Sequence, residues 1–83
     1  MDFYIFSDFP NRLYSLRMER NLSVQRLSEA IGCARTTMYN FETGRRAPSL
    51  ELLVKLADFF DVSIDYLIGR TDDPVLHQKE DWN

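Results

Sequence analysis

Apolar side chains recur at intervals of three and four residues along most of this chain, which is the spacing of one face of an α-helix. Serines, prolines and glycines separate these periodic stretches at positions where helices begin and end. The one run with strand-like residue types, 3–6, is too short to build a sheet alone. The pattern therefore predicts five helices: three over about 10–20, 24–31 and 35–43, a fourth that begins after the cap at Ser49, and a fifth over about 64–68.

Local signals define the ends of these predicted helices. Ser23, Ser49 and Ser63 each precede a helix, where a serine hydroxyl can accept a hydrogen bond from a first-turn N–H group. Gly32 and Gly44 follow the second and third helices, and glycine readily adopts the left-handed conformation that ends a helix sharply. The second and third helices are therefore expected to be short and joined by a tight turn.

The fourth predicted helix carries more apolar residues than one buried face requires. We expect its inward face to consist of Leu50, Leu53, Val54, Ala57 and Phe60. A second stripe is then left over, formed by Leu52, Leu56 and Phe59. Aromatic residues also crowd the N-terminus, at Phe3, Tyr4, Phe6 and Phe9. Either these two apolar sets cover each other, or one of them is a dimer contact.

Composition narrows the class of protein. With 83 residues, 45% hydrophobic and 28% charged, the chain is typical of a single soluble domain. No apolar run approaches the roughly 18 residues that cross a bilayer, and the N-terminus lacks the basic segment and cleavage site of a signal peptide. The lone cysteine, Cys33, has no internal disulfide partner. We therefore expect a cytoplasmic protein that does not bind a membrane.

The net charge of −3 conceals an uneven distribution. Residues 10–48 hold seven arginines against three glutamates, a local charge of +4, whereas residues 49–83 hold three basic and eight acidic residues, a local charge of −5. Because local field matters more than net charge in steering toward a polyanion, the basic half is compatible with nucleic-acid binding. The acidic half is equally well explained by solubility.

The segment 23–44 is the most informative part of the chain, because the third predicted helix, over 35–43, has a polar outward face while its Met38 and Phe41 point inward. The outward residues are Arg35, Thr36, Tyr39 and Asn40. One α-helix fits a DNA major groove about 12 Å wide, where an arginine fork can bind guanine and an asparagine can bind adenine. Thr36 could contact a thymine methyl group or a phosphate. Tyr39 could contact a phosphate or a sugar of the DNA, or it could simply shield Phe41 from solvent. The alternative is an ordinary solvated face.

Residues 9–69 resemble the Cro/C1-type (XRE-like) helix-turn-helix family of phage repressors and bacterial regulators. The resemblance rests on three segments in order: LRMERNLS (16–23), AIGCARTTMYNFETG (30–44) and RRAPSLELLVKLADFFDVSIDYLIG (45–69). It implies an all-α, five-helix, lambda-repressor-like DNA-binding domain over 10–69, with helices two and three as the helix-turn-helix. An aromatic arm (1–9) and a polar tail (70–83), which we expect to fray, would flank it.

The resemblance also implies roles for individual residues. Arg17 matches a position that pairs with the one occupied here by Glu42, and such a bidentate pair would pin helix one to the end of helix three. Positions that read bases are matched by Arg35, Thr36 and Asn40, with Tyr39 on the same face. We assign phosphate contacts to Ser23, Gln25, Thr43, Arg45 and Arg46. Apart from the resemblance, the candidate dimer contacts are helix five (Ile64, Tyr66 and Ile68), the N-terminal aromatic residues, or the stripe with Leu52 and Phe59.

Two positions depart from the family pattern. The family usually has glutamine at the start of helix two, where this chain has Val24, with Gln25 one residue later. The family also usually has Ser or Thr before helix three, where this chain has Ala34, and losing such a cap costs about 1 kcal/mol. Neither change removes the polar face of helix three.

These observations predict a sequence-specific transcriptional regulator, most readily a repressor, that binds an imperfect palindrome of double-stranded DNA as a homodimer. The alternative is a protein-interaction module of the same fold, such as an antitoxin or adaptor, with weak or no DNA binding. No pattern indicates an enzyme, a cofactor, a small-molecule ligand or a metal site. Cys33 matches an apolar core position, and His77 stands alone in the polar tail.

Overall fold

The structure is a computed structural model that describes residues 8–75, and that part of the chain contains five α-helices and no strand. The helices are α1 (Phe9–Glu19), α2 (Val24–Ile31), α3 (Arg35–Glu42), α4 (Leu50–Phe60) and α5 (Ile64–Leu67). The all-α, five-helix prediction is confirmed, and each boundary that the sequence predicted lies within one residue of its expected place. Expectations for Phe3, Tyr4, Phe6 and His77 concern positions outside the described residues.

Three serines cap helices as predicted. The Oγ atoms of Ser23, Ser49 and Ser63 accept hydrogen bonds from first-turn backbone N–H groups at 3.0, 3.2 and 2.9 Å. Each cap satisfies one of the donors that a helix N-terminus leaves without an intrahelical partner. Gly32 ends α2 in the left-handed conformation (φ 89°), and Asp61 ends α4 in the same region (φ 58°).

The core lies where α3 packs against α1 and α2, while α4 packs against α2 and α5. The rings of Phe9 and Phe41 meet edge to face at 6.1 Å between centroids, joining the start of α1 to α3. Phe9 is 1% exposed and therefore belongs to the core rather than to a free aromatic arm. Fully buried apolar partners are Leu13, Leu27, Met38, Leu56 and Leu67.

The predicted register of α4 is partly wrong. Leu50 is 72% exposed and Val54 is 38% exposed, although both were expected to face the core, whereas Leu56 is fully buried. The buried face is therefore Leu53, Leu56, Ala57 and Phe60. Apolar residues occur around most of this helix, so several faces satisfy the helical period and only the positions of α2 and α5 decide among them. Leu52 and Phe59 are half-buried and pack at the edge of the core.

The predicted fraying of the C-terminal tail is wrong for residues 70–75. The Arg70 N–H donates to the Asp65 carbonyl at 2.7 Å, and the Ser63 N–H donates to the Pro74 carbonyl at 3.0 Å. Arg12 lies 4.1 Å above the Tyr66 ring and donates to Asp72 at 2.7 Å. This segment therefore ties α5 to α1. No helix within residues 8–75 has the length and apolar content needed to span a membrane.

Candidate nucleic-acid interface

The turn between α2 and α3 sets the angle between these two helices. The N–H groups of Gly32 and Cys33 both donate to the Ser28 carbonyl, at 2.8 and 3.1 Å, and close the end of α2. A side chain at Gly32 would meet no atom within 4 Å, so the glycine is required by its positive φ and not by lack of space. Two short helices packed across such a turn form a helix-turn-helix.

The outer face of α3 is polar and accessible. Arg35 and Thr36 are exposed and Tyr39 is 50% exposed, whereas Met38 and Phe41 on the opposite side are 0% and 1% exposed. Asn40 is half-buried. Three of the four predicted base-reading side chains thus share one open face, and the fourth lies at its edge.

A groove of about 380 Å³ opens between the first turn of α2 and the outer face of α3. It is lined by Val24, Arg35, Thr36 and Tyr39. Val24 fits the helical period of the buried residues Leu27 and Ile31, which predicts an inward position, but it is only half-buried and contributes to this groove. The sequence signal for this role was the departure from the family's glutamine at this position.

The predicted phosphate contacts at the start of α2 are partly engaged within the helix. The Ser23 hydroxyl oxygen accepts from the Arg26 N–H, and the Gln25 amide donates to Glu29 at 2.8 Å. Both Ser23 and Gln25 remain exposed at the helix N-terminus. Free backbone N–H groups and the positive end of the helix dipole make such a terminus suitable for a phosphate.

The turn after α3 adds positive charge beside the same face. Arg45 and Arg46 are exposed, and within residues 8–75 neither they nor Arg35 has a carboxylate within 4.0 Å. The backbone N–H groups of Arg45 and Arg46 donate to the Asn40 carbonyl at 2.9 and 3.3 Å, and these bonds hold the turn against the end of α3. Thr43 is exposed, and its hydroxyl donates to the Tyr39 carbonyl at 3.0 Å. The turn is thus ordered, and its two guanidinium groups are available to an anion.

A buried ion pair holds the far end of α3. Arg17 donates to the two carboxylate oxygens of Glu42 at 2.6 and 2.9 Å, and a third N–H group donates to the Leu22 carbonyl at 2.8 Å. The side chains are only 10% and 7% exposed. The hydrogen bond to Glu42 raises the pKa of the Arg17 guanidinium further above its usual value, against the opposing effect of desolvation. The bidentate pair expected between α1 and α3 is therefore present, and it fixes the position of the outer face.

Cys33 is half-buried and packs against the core. Burial raises the pKa of its thiol, and the nearby positive charge of Arg46 opposes that shift only in part. A raised thiol pKa lowers the thiolate fraction, which fits a residue that packs against the core.

The expected dimer contacts differ in accessibility. Ile68 is 7% exposed and lies in the core, so it offers little surface to a partner. The other expected contacts are half-buried and pack at the edge of the core: Leu52, Phe59, Ile64 and Tyr66. The most exposed large apolar residue on α4 is Leu50, which the helical period had assigned to the core.

The chain is similar in sequence to known helix-turn-helix proteins. The sequence model of the family described as "Helix-turn-helix" matches residues 13–67, from α1 to the end of α5. The chain is 43% identical over 63 residues to YobD, an uncharacterized HTH-type transcriptional regulator of Bacillus subtilis, covering 76% of this chain and 56% of that protein. It is 45% identical over 60 residues to AnsR, an HTH-type transcriptional regulator of the same organism, covering 72% and 52%.

A third relative comes from Vibrio cholerae. RstR, a cryptic phage CTXphi transcriptional repressor, is 33% identical over 64 residues, covering 77% of this chain and 58% of that protein. The chain thus spans only about half the length of these relatives, and their similarity concerns the helical domain described above.

Proposed function

The chain belongs to the helix-turn-helix family, and on that premise we propose that it is a sequence-specific DNA-binding transcriptional regulator that acts as a repressor. The observation that carries the proposal is the open outer face of α3, where Arg35, Thr36 and Tyr39 stand accessible beside the N-terminus of α2. A helix presented in this way can enter the major groove with its side chains toward the base edges.

In the proposed complex, the first turn of α3 reads sequence. Arg35 offers its guanidinium fork to the O6 and N7 atoms of a guanine, the commonest specific contact in the major groove. Asn40, at the edge of the face, offers an amide to adenine. Thr36 and Tyr39 form the rest of the surface that contacts the DNA.

The flanking positions hold the register. We assign phosphate contacts to the turn after α3, through Thr43, Arg45 and Arg46, and to the start of α2, through Ser23 and Gln25. Because Gln25 is bonded to Glu29 and the Ser23 hydroxyl oxygen accepts from a backbone N–H, the α2 contact is expected to use mainly first-turn N–H groups. Such contacts raise affinity for any DNA sequence but do not discriminate between bases.

One α3 helix contacts only a few base pairs, so we propose that the protein binds as a homodimer on an imperfect palindrome. Two α3 helices would then enter successive major grooves about 34 Å apart. The repressor assignment rests on the similarity to RstR, a transcriptional repressor. A reporter gene placed downstream of the DNA site that the protein binds should lose expression when the protein is present, and increased expression would contradict repression.

Selection from random oligonucleotides tests DNA recognition directly. The purified chain should enrich one motif, with two inverted half-sites if it binds as a dimer. Affinity for that motif should fall steeply with added salt, because several phosphate contacts release counterions. A chain that enriches no motif, or whose binding is unaffected by salt, would instead indicate a protein-interaction module.

An arginine substitution distinguishes base reading from charge alone. Arg35→Ala should weaken binding to the selected motif by about 1–3 kcal/mol and relax the preference at one base pair. Arg70→Ala is the matched control, since Arg70 is also exposed but follows α5 in the chain and does not line the groove at the α3 face. Equal losses on selected and scrambled DNA would mean that Arg35 contacts only phosphate.

A further inference from the structure

The groove between α2 and α3 combines one rigid apolar side chain with polar ones. Val24 occupies the first position of α2, half-buried, and lines the groove together with Arg35, Thr36 and Tyr39. A β-branched side chain in a helix has essentially one χ1 rotamer, so its methyl groups stay in place without a further loss of entropy on binding.

The backbone beneath this side chain is also held. The hydroxyl of Ser28, a residue that is 2% exposed, donates to the Val24 carbonyl at 2.7 Å. The Ser23 cap holds the same turn through its bond from the Arg26 N–H at 3.0 Å. Val24 therefore presents a pre-organised apolar surface at the edge of the proposed DNA-reading face.

Base edges in the major groove offer one apolar group that fits such a surface. Thymine carries a C5-methyl group, and the other unmodified bases present hydrogen-bond donors or acceptors. A polar base edge pressed against the valine would lose water without gaining a hydrogen bond, which is unfavourable. The adjacent Arg35 suits a guanine, so methyl and guanine would lie on neighbouring base pairs.

We propose that Val24 is a specificity-determining residue, and that the groove it lines reads the C5-methyl group of a pyrimidine next to the guanine bound by Arg35. This inference rests on the proposed function and deepens it. The methyl group belongs either to thymine or to 5-methylcytosine, which present the same chemistry at this position.

Base analogues test the inference without altering the protein. In the selected motif, each thymine is replaced in turn by deoxyuridine, which lacks only the C5-methyl group. One replacement, next to the base pair whose preference Arg35→Ala relaxes, should lower affinity about fourfold, the value expected for one buried methyl group. Where the motif has cytosine at that position, 5-methylation should raise affinity by a similar factor, which identifies the modified base as the source.

A double-mutant cycle links the methyl group to Val24. Val24→Ala removes the two methyl groups and retains a good helix former, so the variant should stay folded. It should bind the thymine-containing motif about fourfold more weakly than the parent and be indifferent to the thymine-to-uracil replacement. Val54→Ala is the control, because Val54 is 38% exposed on α4 and lies outside the groove, and its sensitivity to the replacement should be unchanged.

The outcomes separate the inference from the function on which it rests. A motif that is enriched, but whose affinity is insensitive to every loss or gain of a C5-methyl group, overturns the inference and leaves DNA recognition intact. The inference is overturned in the same way if Val24→Ala retains the full sensitivity, because another side chain then reads the methyl group. If no motif is enriched, DNA recognition itself fails and the inference fails with it.

Discussion

Removing one partner of the Arg17–Glu42 ion pair should cost a large part of the domain's stability. The two hydrogen bonds measure 2.6 and 2.9 Å, and the side chains are 10% and 7% exposed, so each charge is almost fully withdrawn from water. Arg17→Met leaves the Glu42 carboxylate without its partner and also removes the 2.8 Å bond to the Leu22 carbonyl. The unpaired buried charge, and not the lost attraction alone, accounts for most of the expected decrease in the free energy of unfolding.

Breaking a buried pair by removing one partner typically costs about 3–5 kcal/mol. A domain of this size has a free energy of unfolding of about 5–10 kcal/mol, so the loss would approach half of it or more. Glu42→Gln keeps the shape and one acceptor but leaves the buried Arg17 guanidinium without its counter-charge, so its cost should also be about 3–5 kcal/mol. Each kcal/mol lowers the melting temperature of a small domain by about 4–8 °C.

Urea unfolding followed by far-ultraviolet circular dichroism measures these differences. The double variant Arg17→Met/Glu42→Leu should be less destabilised than the sum of the single variants Arg17→Met and Glu42→Leu, because it buries neither charge. Lys55→Met is the control: its nitrogen lies 4.0 Å from Glu51 and the side chains are 51% and 80% exposed, so the cost should stay below about 0.5 kcal/mol. Strictly additive single variants, or a loss below about 1 kcal/mol for Arg17→Met, would refute the idea that an unpaired buried charge dominates the cost.

Three further predictions concern the core, a helix cap and the thiol. Phe41→Ala should cost about 3–5 kcal/mol by calorimetry, because this ring is 1% exposed and packs on Phe9; an unchanged melting temperature would contradict the packing. Ala34→Ser should add about 1 kcal/mol in urea unfolding, because Ala34 already has extended backbone angles (φ −70°, ψ 149°) and no side-chain cap; no gain would mean that the hydroxyl cannot reach the helix. Cys33 should react with iodoacetamide near pH 8 more slowly in the folded protein than in urea, because burial raises the pKa of its thiol; equal rates would show that the thiol is open.

The parts of the fold that could be predicted from the sequence depend on neighbours along the chain. Serine caps, the glycine after α2 and the helical period act over one or two turns, so the helix boundaries were correct. The Arg17–Glu42 contact spans 25 residues and was expected only because the family resemblance implies it. Within the α3 face, Arg35 and Tyr39 were placed outward correctly, since Met38 and Phe41 define the opposite side.

The errors arose where burial depends on distant elements. Leu50 and Leu56 both fit a helical stripe of α4, and only the docking of α2 and α5 selects Leu56 for the core. The 70–75 segment is polar in sequence, yet Asp72 meets Arg12 across 60 residues, a contact that no local pattern encodes. Val24 follows the period of the buried stripe, but its place at the first turn leaves it at the edge of the core, facing the groove.

The contacts that hold α3 lie on the side away from its outer face. Phe41 anchors the helix to Phe9, and Glu42 anchors it to Arg17, whereas Arg35, Thr36 and Tyr39 are exposed. If α3 reads DNA as proposed, substitutions on the outer face should therefore change which DNA sequence is preferred while leaving the free energy of unfolding nearly unchanged, since exposed positions usually alter it by less than about 0.5 kcal/mol. Val24 lies between these two groups, half-buried against the core and open to the groove. At this position, a change in base preference has to be compatible with packing.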